Sequence, residues 1–192
     1  MPTALVTGSP DRVPEITIAL KSAGFDILAA GVESPDDAPD LQEGAVDCYV
    51  QLPVDRPRSP GGPLRATRDV IAHELVDRFD RAVQFLPLLA PDAVVVLVTG
   101  GAGFDHAPGR PPDPGGMAQR RLVELLAEVI LRDQGRAGVR TRVVSEERAS
   151  EDIAALAGAA QHPEPWWRYA DLDPDLGFAD WRASVLCLAT RP

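Results

Sequence analysis

The sequence predicts a single α/β domain over residues 1–192, with a doubly wound parallel sheet of six to seven strands and helices on both faces. Short runs of apolar, often β-branched residues alternate along the chain with longer segments whose apolar residues recur every three or four positions. No internal repeat breaks this alternation, which is typical of strands joined by crossover helices. The composition, 45% hydrophobic and 25% charged, suits a chain that buries a core.

The first 30 residues predict a strand, a helix and a second strand, which form a βαβ unit with a right-handed crossover. The first strand, residues 3–7, is an unbroken run of apolar and β-branched residues, and the helix, residues 12–23, has apolar residues at helical spacing. Gly24 follows the helix, where glycine ends helices because it adopts left-handed backbone angles. The second strand covers residues 25–30.

The middle of the chain predicts two long helices around one central strand. Residues 47–52 predict a short third strand, and the prolines and glycines of residues 53–63 predict a surface loop. A long helix over residues 66–89 follows from apolar residues spaced three or four apart. Residues 93–98, Ala-Val-Val-Val-Leu-Val, predict the central strand, buried on both faces. The second long helix covers residues 117–133.

The C-terminal part predicts two strands and a short helix. Residues 139–144 and residues 183–189 are apolar runs of strand length. Ser150 is expected to cap the short helix between them, because acidic residues follow it in the first turn.

The net charge of −10 argues against several classes of partner. Nucleic acids and anionic membranes both attract clustered Lys and Arg, so neither partner is expected. No apolar run approaches the roughly 18 residues that cross a bilayer, and residues 1–6 lack the charged start of a signal peptide, so we expect a cytoplasmic protein. Cys48 and Cys187 lie in apolar runs and are interpreted as buried thiols. Frequent Arg and Ala beside a single lysine, Lys21, suggest a bacterial genome rich in GC.

Three segments resemble the short-chain dehydrogenase/reductase family. They are residues 4–8, Ala-Leu-Val-Thr-Gly; residues 85–103, a helix end and proline followed by the central strand and its glycines; and residues 150–156, a late helix. The resemblance spans about residues 3–190. It implies a Rossmann-like sheet, an NAD(P) site at the end of the first strand, and hydride transfer by a tyrosine and a lysine.

The cofactor loop departs from the family pattern Thr-Gly-x-x-x-Gly-x-Gly. Arg12 and Pro14 stand where the resemblance places the second and third glycines. Those glycines let the backbone approach the pyrophosphate and let the helix pack on the sheet, so an arginine side chain there should close the groove. Arg12 could instead clamp a phosphate directly. The resemblance and the end of the strands mark five candidate cofactor contacts: Gly8, Ser9, Arg12, Gly31 and Gly100.

The catalytic residues of the family are also missing. The resemblance places the Tyr-x-x-x-Lys segment at residues 113–121, which contain neither a tyrosine nor a lysine. The serine position falls on Gly100, and Glu74 stands near the position of the family's asparagine. The chemistry needs a phenol whose pKa a neighbouring ammonium lowers. We therefore expect no proton relay of the usual kind.

Other residues at the carboxyl ends of the strands could carry different chemistry. Asp105 and His106 follow the central strand, where a carboxylate could orient a histidine that titrates near neutral pH. An ordinary solvated loop is the favoured interpretation, because adjacent residues rarely hydrogen-bond each other usefully. Glu74 could face inward as a buried carboxylate with a raised pKa, or lie on an exposed helix face. No metal site is expected.

The two long helices, residues 66–89 and 117–133, have more apolar residues than one contact with a sheet needs. Family members pair these helices with those of a second copy. We therefore expect a homodimer, or a heterodimer with an active relative, through both helices. Asp77, Arg78, Asp80 and Arg81 could supply the polar contacts that set its register.

Taken together, the sequence favours a degenerate short-chain-dehydrogenase-like protein: a pseudoenzyme acting as a non-redox binding or partner subunit in bacterial small-molecule metabolism. The alternative is an atypical enzyme on the same scaffold, either an NAD(P)-dependent oxidoreductase or a cyclase or isomerase. Under the first hypothesis we expect no cofactor, whereas NAD(P) belongs to the second.

Overall fold

The computed structural model describes residues 1–38, 41–53, 62–69, 72, 76–99, 114–134, 137–145 and 150–158. The chain divides into two compact units, Met1–Ala160 and Gln161–Pro192, and every described residue lies in the first. No helix among these residues is long and apolar enough to cross a membrane.

Strands and helices alternate through the described residues, as the sequence predicts. In chain order they are β1 (Thr3–Thr7), α1 (Val13–Ser22), β2 (Asp26–Ala30), β3 (Val46–Gln51), α2 (Pro63–Asp69), α3 (Val76–Phe85), β4 (Leu89–Thr99), α4 (Pro114–Gln134), β5 (Arg140–Ser145) and α5 (Ser150–Gly158). Short 3₁₀ turns occupy Pro35–Asp37 and Leu86–Leu88.

The strands form one parallel sheet with the order β2-β1-β3-β4-β5. This is the order of a doubly wound sheet whose direction of winding reverses between β1 and β3. The prediction of a parallel α/β sheet is therefore confirmed. The described part of the chain contains five strands of the predicted six to seven, and the predicted last strand, residues 183–189, lies outside it.

Helices cover both faces of the sheet, because successive residues of each buried strand point to opposite sides. Ala4 and Val6 of β1 pack with α1 and α5, whereas Leu5 between them packs with α3 and α4. Phe85 of α3 and Leu126 of α4 are fully buried on the second face. This second face, which we call the α3/α4 face, is the one that carries the candidate site.

The first long helix ends earlier than predicted. The predicted helix over residues 66–89 corresponds to α2 and α3, with residues 70–71 and 73–75 outside the described part, and α3 ends at Phe85. Pro87 lacks an N–H and cannot continue a helix, so a 3₁₀ turn follows. β4 then begins at Leu89, which pairs with Val46, rather than at residue 93.

Other boundaries differ less. Gly24 follows α1 with φ of 91°, which confirms the predicted helix end. The predicted second long helix is confirmed as α4. The predicted short helix is confirmed as α5, with Glu151 and Asp152 in its first turn. Cys48 is a buried free thiol whose pKa burial raises to about 12, while Cys187 lies outside the described residues.

Candidate functional site

Ligands of doubly wound sheets bind outside the carboxyl ends of the strands, where the winding direction reverses. In this chain that point lies between β1 and β3, and backbone hydrogen bonds continue the pairing of these strands past their ends. Ser9 donates its N–H to the carbonyl of Pro53 at 2.9 Å, and Leu52 donates to the carbonyl of Thr7 at 2.8 Å. The two chain segments that would border a crevice are therefore joined by hydrogen bonds.

Gly8 is required by this close approach. Its φ of 112° is a conformation that residues with a side chain rarely adopt. A Cβ built on Gly8 would lie 2.8 Å from both the carbonyl carbon and the Cβ of Leu52. The packing of β1 against the end of β3 thus accounts for a glycine that the sequence assigned to a cofactor.

The start of α1 offers few donors to a phosphate. Anions bind at helix N-termini because the first N–H groups lack partners. Here Arg12 and Val13 both donate their N–H groups to the carbonyl of Ser9, at 3.3 Å each, and Pro14 has no N–H. The exposed carboxylate of Glu15 adds negative charge in this first turn. The residues present therefore do not fit the usual seat of a dinucleotide pyrophosphate.

Gly31 lies at the end of β2 and donates its N–H to the carbonyl of Val6 at 2.9 Å, with φ of 74°. A Cβ there would meet only Val13 Cγ1, at 3.8 Å, which is ordinary contact. Gly31 therefore serves a turn that needs left-handed backbone, and space for a ligand is not what requires it.

A polar cluster that sequence reasoning missed lies at the carboxyl edge of the α3/α4 face. Thr7, Gln51 and Thr99 are the last residues of β1, β3 and β4. Each follows by two positions a strand residue buried on that face, so all three side chains point to it. Their relative exposures are 0%, 0% and 2%. The sequence feature that could have identified these positions is a polar residue at the end of an apolar strand.

Arg78 of α3 reaches into this cluster and ties it together. Its Nε donates to Gln51 Oε1 at 3.0 Å, and its Nη2 donates to the backbone carbonyls of Gln51 and Val98 at 3.2 and 2.6 Å. Gln51 Nε2 donates back to the Arg78 carbonyl at 3.0 Å. Arg78 is 1% exposed, so the guanidinium is held inside the protein by groups at the ends of β3 and β4.

Tyr49 is locked into the same network. Its hydroxyl accepts a hydrogen bond from Gln51 Nε2 at 3.1 Å and lies 3.0 Å from Thr7 Oγ1. Burial raises the pKa of the Tyr49 phenol, and the hydrogen bonds and the charges of Arg78 and Arg81 offset part of that rise. The phenol of Tyr49 is therefore uncharged at neutral pH, and its hydroxyl is hydrogen-bonded within the protein.

Thr99 Oγ1 and Arg81 Nη1 are buried polar atoms at this edge that have no hydrogen-bond partner among the described residues. Buried polar atoms are almost always hydrogen-bonded in native proteins, so each such atom needs an explanation. Arg81 lies three residues after Arg78 on α3, and its Nη2 is 3.6 Å from Glu33 Oε1. Glu33 follows β2 and is largely exposed.

The positions of Arg78 and Arg81 correct one prediction. The sequence suggested both as polar contacts at a dimer interface, but they are 1% and 9% exposed and their side chains point into the domain. They are buried because the helical period turns them toward the sheet together with Ala82 and Phe85. Within the first unit they belong to the carboxyl edge.

Several predicted site residues cannot be placed. Glu74, Gly100, Asp105 and His106 lie outside the described residues, so their predicted roles stay predictions. Among the residues that are described, no group of three or more His, Cys, Asp or Glu side chains could hold a metal ion.

Comparison with known proteins agrees with the fold. No protein-family model matches the sequence, and no curated protein matches it. Solved structures do match. The enoyl-[acyl-carrier-protein] reductase (NADH) of Aquifex aeolicus VF5 has a TM-score of 0.60 at 15% identity, over 81% of this chain and 86% of that chain. A short-chain dehydrogenase/reductase mutant of Serratia marcescens has a TM-score of 0.57 at 15% identity, over 82% and 88%.

A third match is an oxidoreductase of the short-chain dehydrogenase/reductase family from Brucella ovis, in complex with a partially ordered NAD. Its TM-score is 0.53 at 18% identity, over 81% of this chain and 91% of that chain. The chain has a short-chain-dehydrogenase-like fold. At these identities the likeness shows the fold alone.

Proposed function

We propose that this chain is a non-redox binding or partner subunit built on a short-chain-dehydrogenase-like scaffold. The placement of Tyr49 and Lys21 carries the proposal. Hydride transfer in the family that the sequence resembles needs a tyrosine and a lysine side by side, and residues 113–121 contain neither. Lys21 is the only lysine, and Tyr49 and Tyr169 are the only tyrosines.

Neither described residue can stand in for the missing pair. Tyr49 is fully buried, and its hydroxyl is occupied by Thr7 and Gln51. Lys21 is exposed in the last turn of α1, which packs on the opposite face of the sheet. A general acid must be free to give up its proton near neutral pH, and a buried phenol with a raised pKa does not do so.

The closed cofactor groove supports the same proposal. One structural neighbour is in complex with NAD, so NAD(P) is the cofactor to test for this chain. In this chain the amides at the start of α1 are engaged by Ser9, and the end of β1 is bonded to Pro53. The alternative is an atypical enzyme that uses Glu74, Asp105 or His106. The oxidoreductases among the structural neighbours favour it, while those three residues lie outside the described part of the chain.

Calorimetric titration with NADH and NADPH tests the non-redox proposal. We expect no saturable heat for either nucleotide, corresponding to a Kd weaker than about 1 mM, because no pyrophosphate seat is available. An active reductase of the same fold, titrated under the same conditions, is the positive control. Micromolar binding of either nucleotide, or oxidation of the nucleotide with any carbonyl substrate, would contradict the proposal.

The partner role rests on α4, which has a second apolar stripe. Its sheet-facing residues are almost fully buried, with Val123, Leu126 and Ile130 each 1% exposed. Leu125 and Val129 lie on another side of the helix and are 47% and 43% exposed. Their spacing continues from the half-buried Leu122 in steps of three and four, which is the seam of a helix that pairs with another helix.

The charges beside this stripe suit a second copy of the same chain. A two-fold interface places the same surface of each copy against the other. Antiparallel pairing centred between Glu124 and Leu125 would put Arg121 of one copy opposite Glu128 of the other. Opposite charges that flank an apolar seam set the orientation of paired helices. We therefore propose a homodimer through α4, with a heterodimer through the same stripe as the competing outcome.

Sedimentation equilibrium tests the interface. We expect the wild-type chain to form a dimer, and Leu125→Asp with Val129→Asp to weaken association by at least about 100-fold, because buried carboxylates are costly. Ile18→Asp is the matched control, since Ile18 is 67% exposed on α1 and should leave the dimer intact. A wild-type chain that stays monomeric at the highest concentration reached would exclude self-association.

A further inference from the structure

The guanidinium of Arg81 is buried but poorly partnered. The residue is 9% exposed, and Nη1 has no hydrogen-bond partner among the described residues. Among the described residues, the carboxylate that pairs with it is Glu33 Oε1, 3.6 Å from Nη2, which is an ion-pair distance but too long for a good hydrogen bond. A buried cation is ordinarily both paired and hydrogen-bonded.

Glu33 is a weak partner for this cation. Its side chain is 81% exposed, whereas the side chain of Arg81 is 11% exposed. The carboxylate can therefore swing into water at little cost, because an exposed ion pair contributes little. The guanidinium cannot follow it, since its helix is packed on the sheet through Ala82 and Phe85.

Arg81 differs in this respect from Arg78, its neighbour one helical turn earlier. Arg78 donates to three oxygen atoms of Gln51 and Val98. Both guanidinium groups are close enough to Tyr49 for their charges to favour its ionised form, so they lie at one carboxyl edge. Arg81 is the one that faces the segment after β2, where Glu33 marks an opening to solvent.

We propose that Arg81 binds a single anionic group, a phosphate or carboxylate carried by a small molecule, and that Glu33 is the internal anion that this ligand displaces. Arginine presents a planar fork of donors that matches both groups. The proposal gives a ligand chemistry to the non-redox binding role and rests on that role. It does not depend on the dimer, nor on the groove at the start of α1, which lies on the other side of β1.

Titration of the full chain with sodium phosphate and with sodium acetate, at constant ionic strength set by chloride, tests the site. We expect one of the two anions to bind with a Kd of about 1 mM and to raise the Tm by roughly 4–7 °C at a twentyfold excess over Kd. Preference for phosphate indicates a phosphate ester as the natural ligand, and preference for acetate indicates a carboxylic acid.

Variants separate this site from general salt effects, because phosphate stabilises many proteins by exclusion from their surface. Arg81→Met should lower the affinity by at least about 10-fold, and Glu33→Gln, at an exposed position, should raise it by about 3-fold or more. Arg68→Met removes an exposed arginine that pairs with Asp69 and should change neither value.

Two results would overturn the inference. One is a wild-type chain whose response to phosphate and acetate equals its response to chloride. The other is a response that survives in Arg81→Met and does not rise in Glu33→Gln. Since Glu33 is exposed, its variant keeps the test valid if Arg81→Met folds poorly. Binding of NADH or NADPH would contradict the non-redox role. The titrations with phosphate and acetate test the Arg81 site independently of that result.

Discussion

Replacing Arg78 by alanine should lower the free energy of unfolding by about 4 kcal/mol, which is roughly 8–16 °C in Tm for a chain of this size. Arg78 is among the largest fully buried side chains of the described residues. Its removal leaves a cavity and takes the donors away from Gln51 Oε1 and from the carbonyl of Val98. Denaturant unfolding followed by circular dichroism measures the change.

Arg78→Met separates the cost of the cavity from the cost of the lost hydrogen bonds. Methionine fills most of the volume but donates no hydrogen bond, so we expect it to lose about 2 kcal/mol, the cost of leaving buried acceptors unpaired. The control is Arg120→Met, which removes a half-exposed arginine paired with Glu124 and should cost less than about 0.5 kcal/mol. A methionine variant as stable as the wild type would show that burial of the guanidinium cancels its hydrogen bonds.

The sequence predicted the parts of the fold that depend on periodicity. The alternation of apolar strands with helices follows from local spacing of apolar residues. The strands and helices predicted within the described residues, including the two elements beside Gly24, therefore lie near their expected places. Boundaries were less predictable. The start of β4 at Leu89 depends on pairing with Val46, a contact between residues far apart in the chain.

The site was harder to predict, because its residues are dispersed. Thr7, Gln51 and Arg78 come from three separate elements, and no spacing along the chain shows that they meet. The sequence suggested Arg78 and Arg81 as polar contacts at a dimer interface, and arginine is rarely buried. Tertiary packing overrode that expectation by giving Arg78 backbone carbonyls as partners.

Gly8 illustrates how one residue type supports two interpretations. A glycine directly after the first strand fits the cofactor loop of the family that the sequence resembles, and it also fits a tight approach between two strand ends. The structure supplies a complete reason of the second kind, because a Cβ would overlap the backbone of Leu52. A stability measurement can therefore distinguish a structural glycine from one kept for a ligand.

Gly8→Ala should destabilise the chain by about 3–4 kcal/mol, through the strained backbone at φ of 112° and the contact with Leu52. The expected fall in Tm is roughly 6–16 °C. The damage should extend to the pairing of β1 with β3, because Ser9 and Leu52 hold the two strand ends together through Pro53 and Thr7. Hydrogen exchange at the amide of Leu52 reports that loss directly.

Gly24→Ala is the matched control, because Gly24 also has a positive φ, of 91°, but has open space around the position of a Cβ. It should cost about 1 kcal/mol, the backbone term alone. The difference between the free energies of unfolding of the two variants then measures the cost of the contact with Leu52. If both variants lost the same stability, the close approach at the end of β3 would not be what requires Gly8.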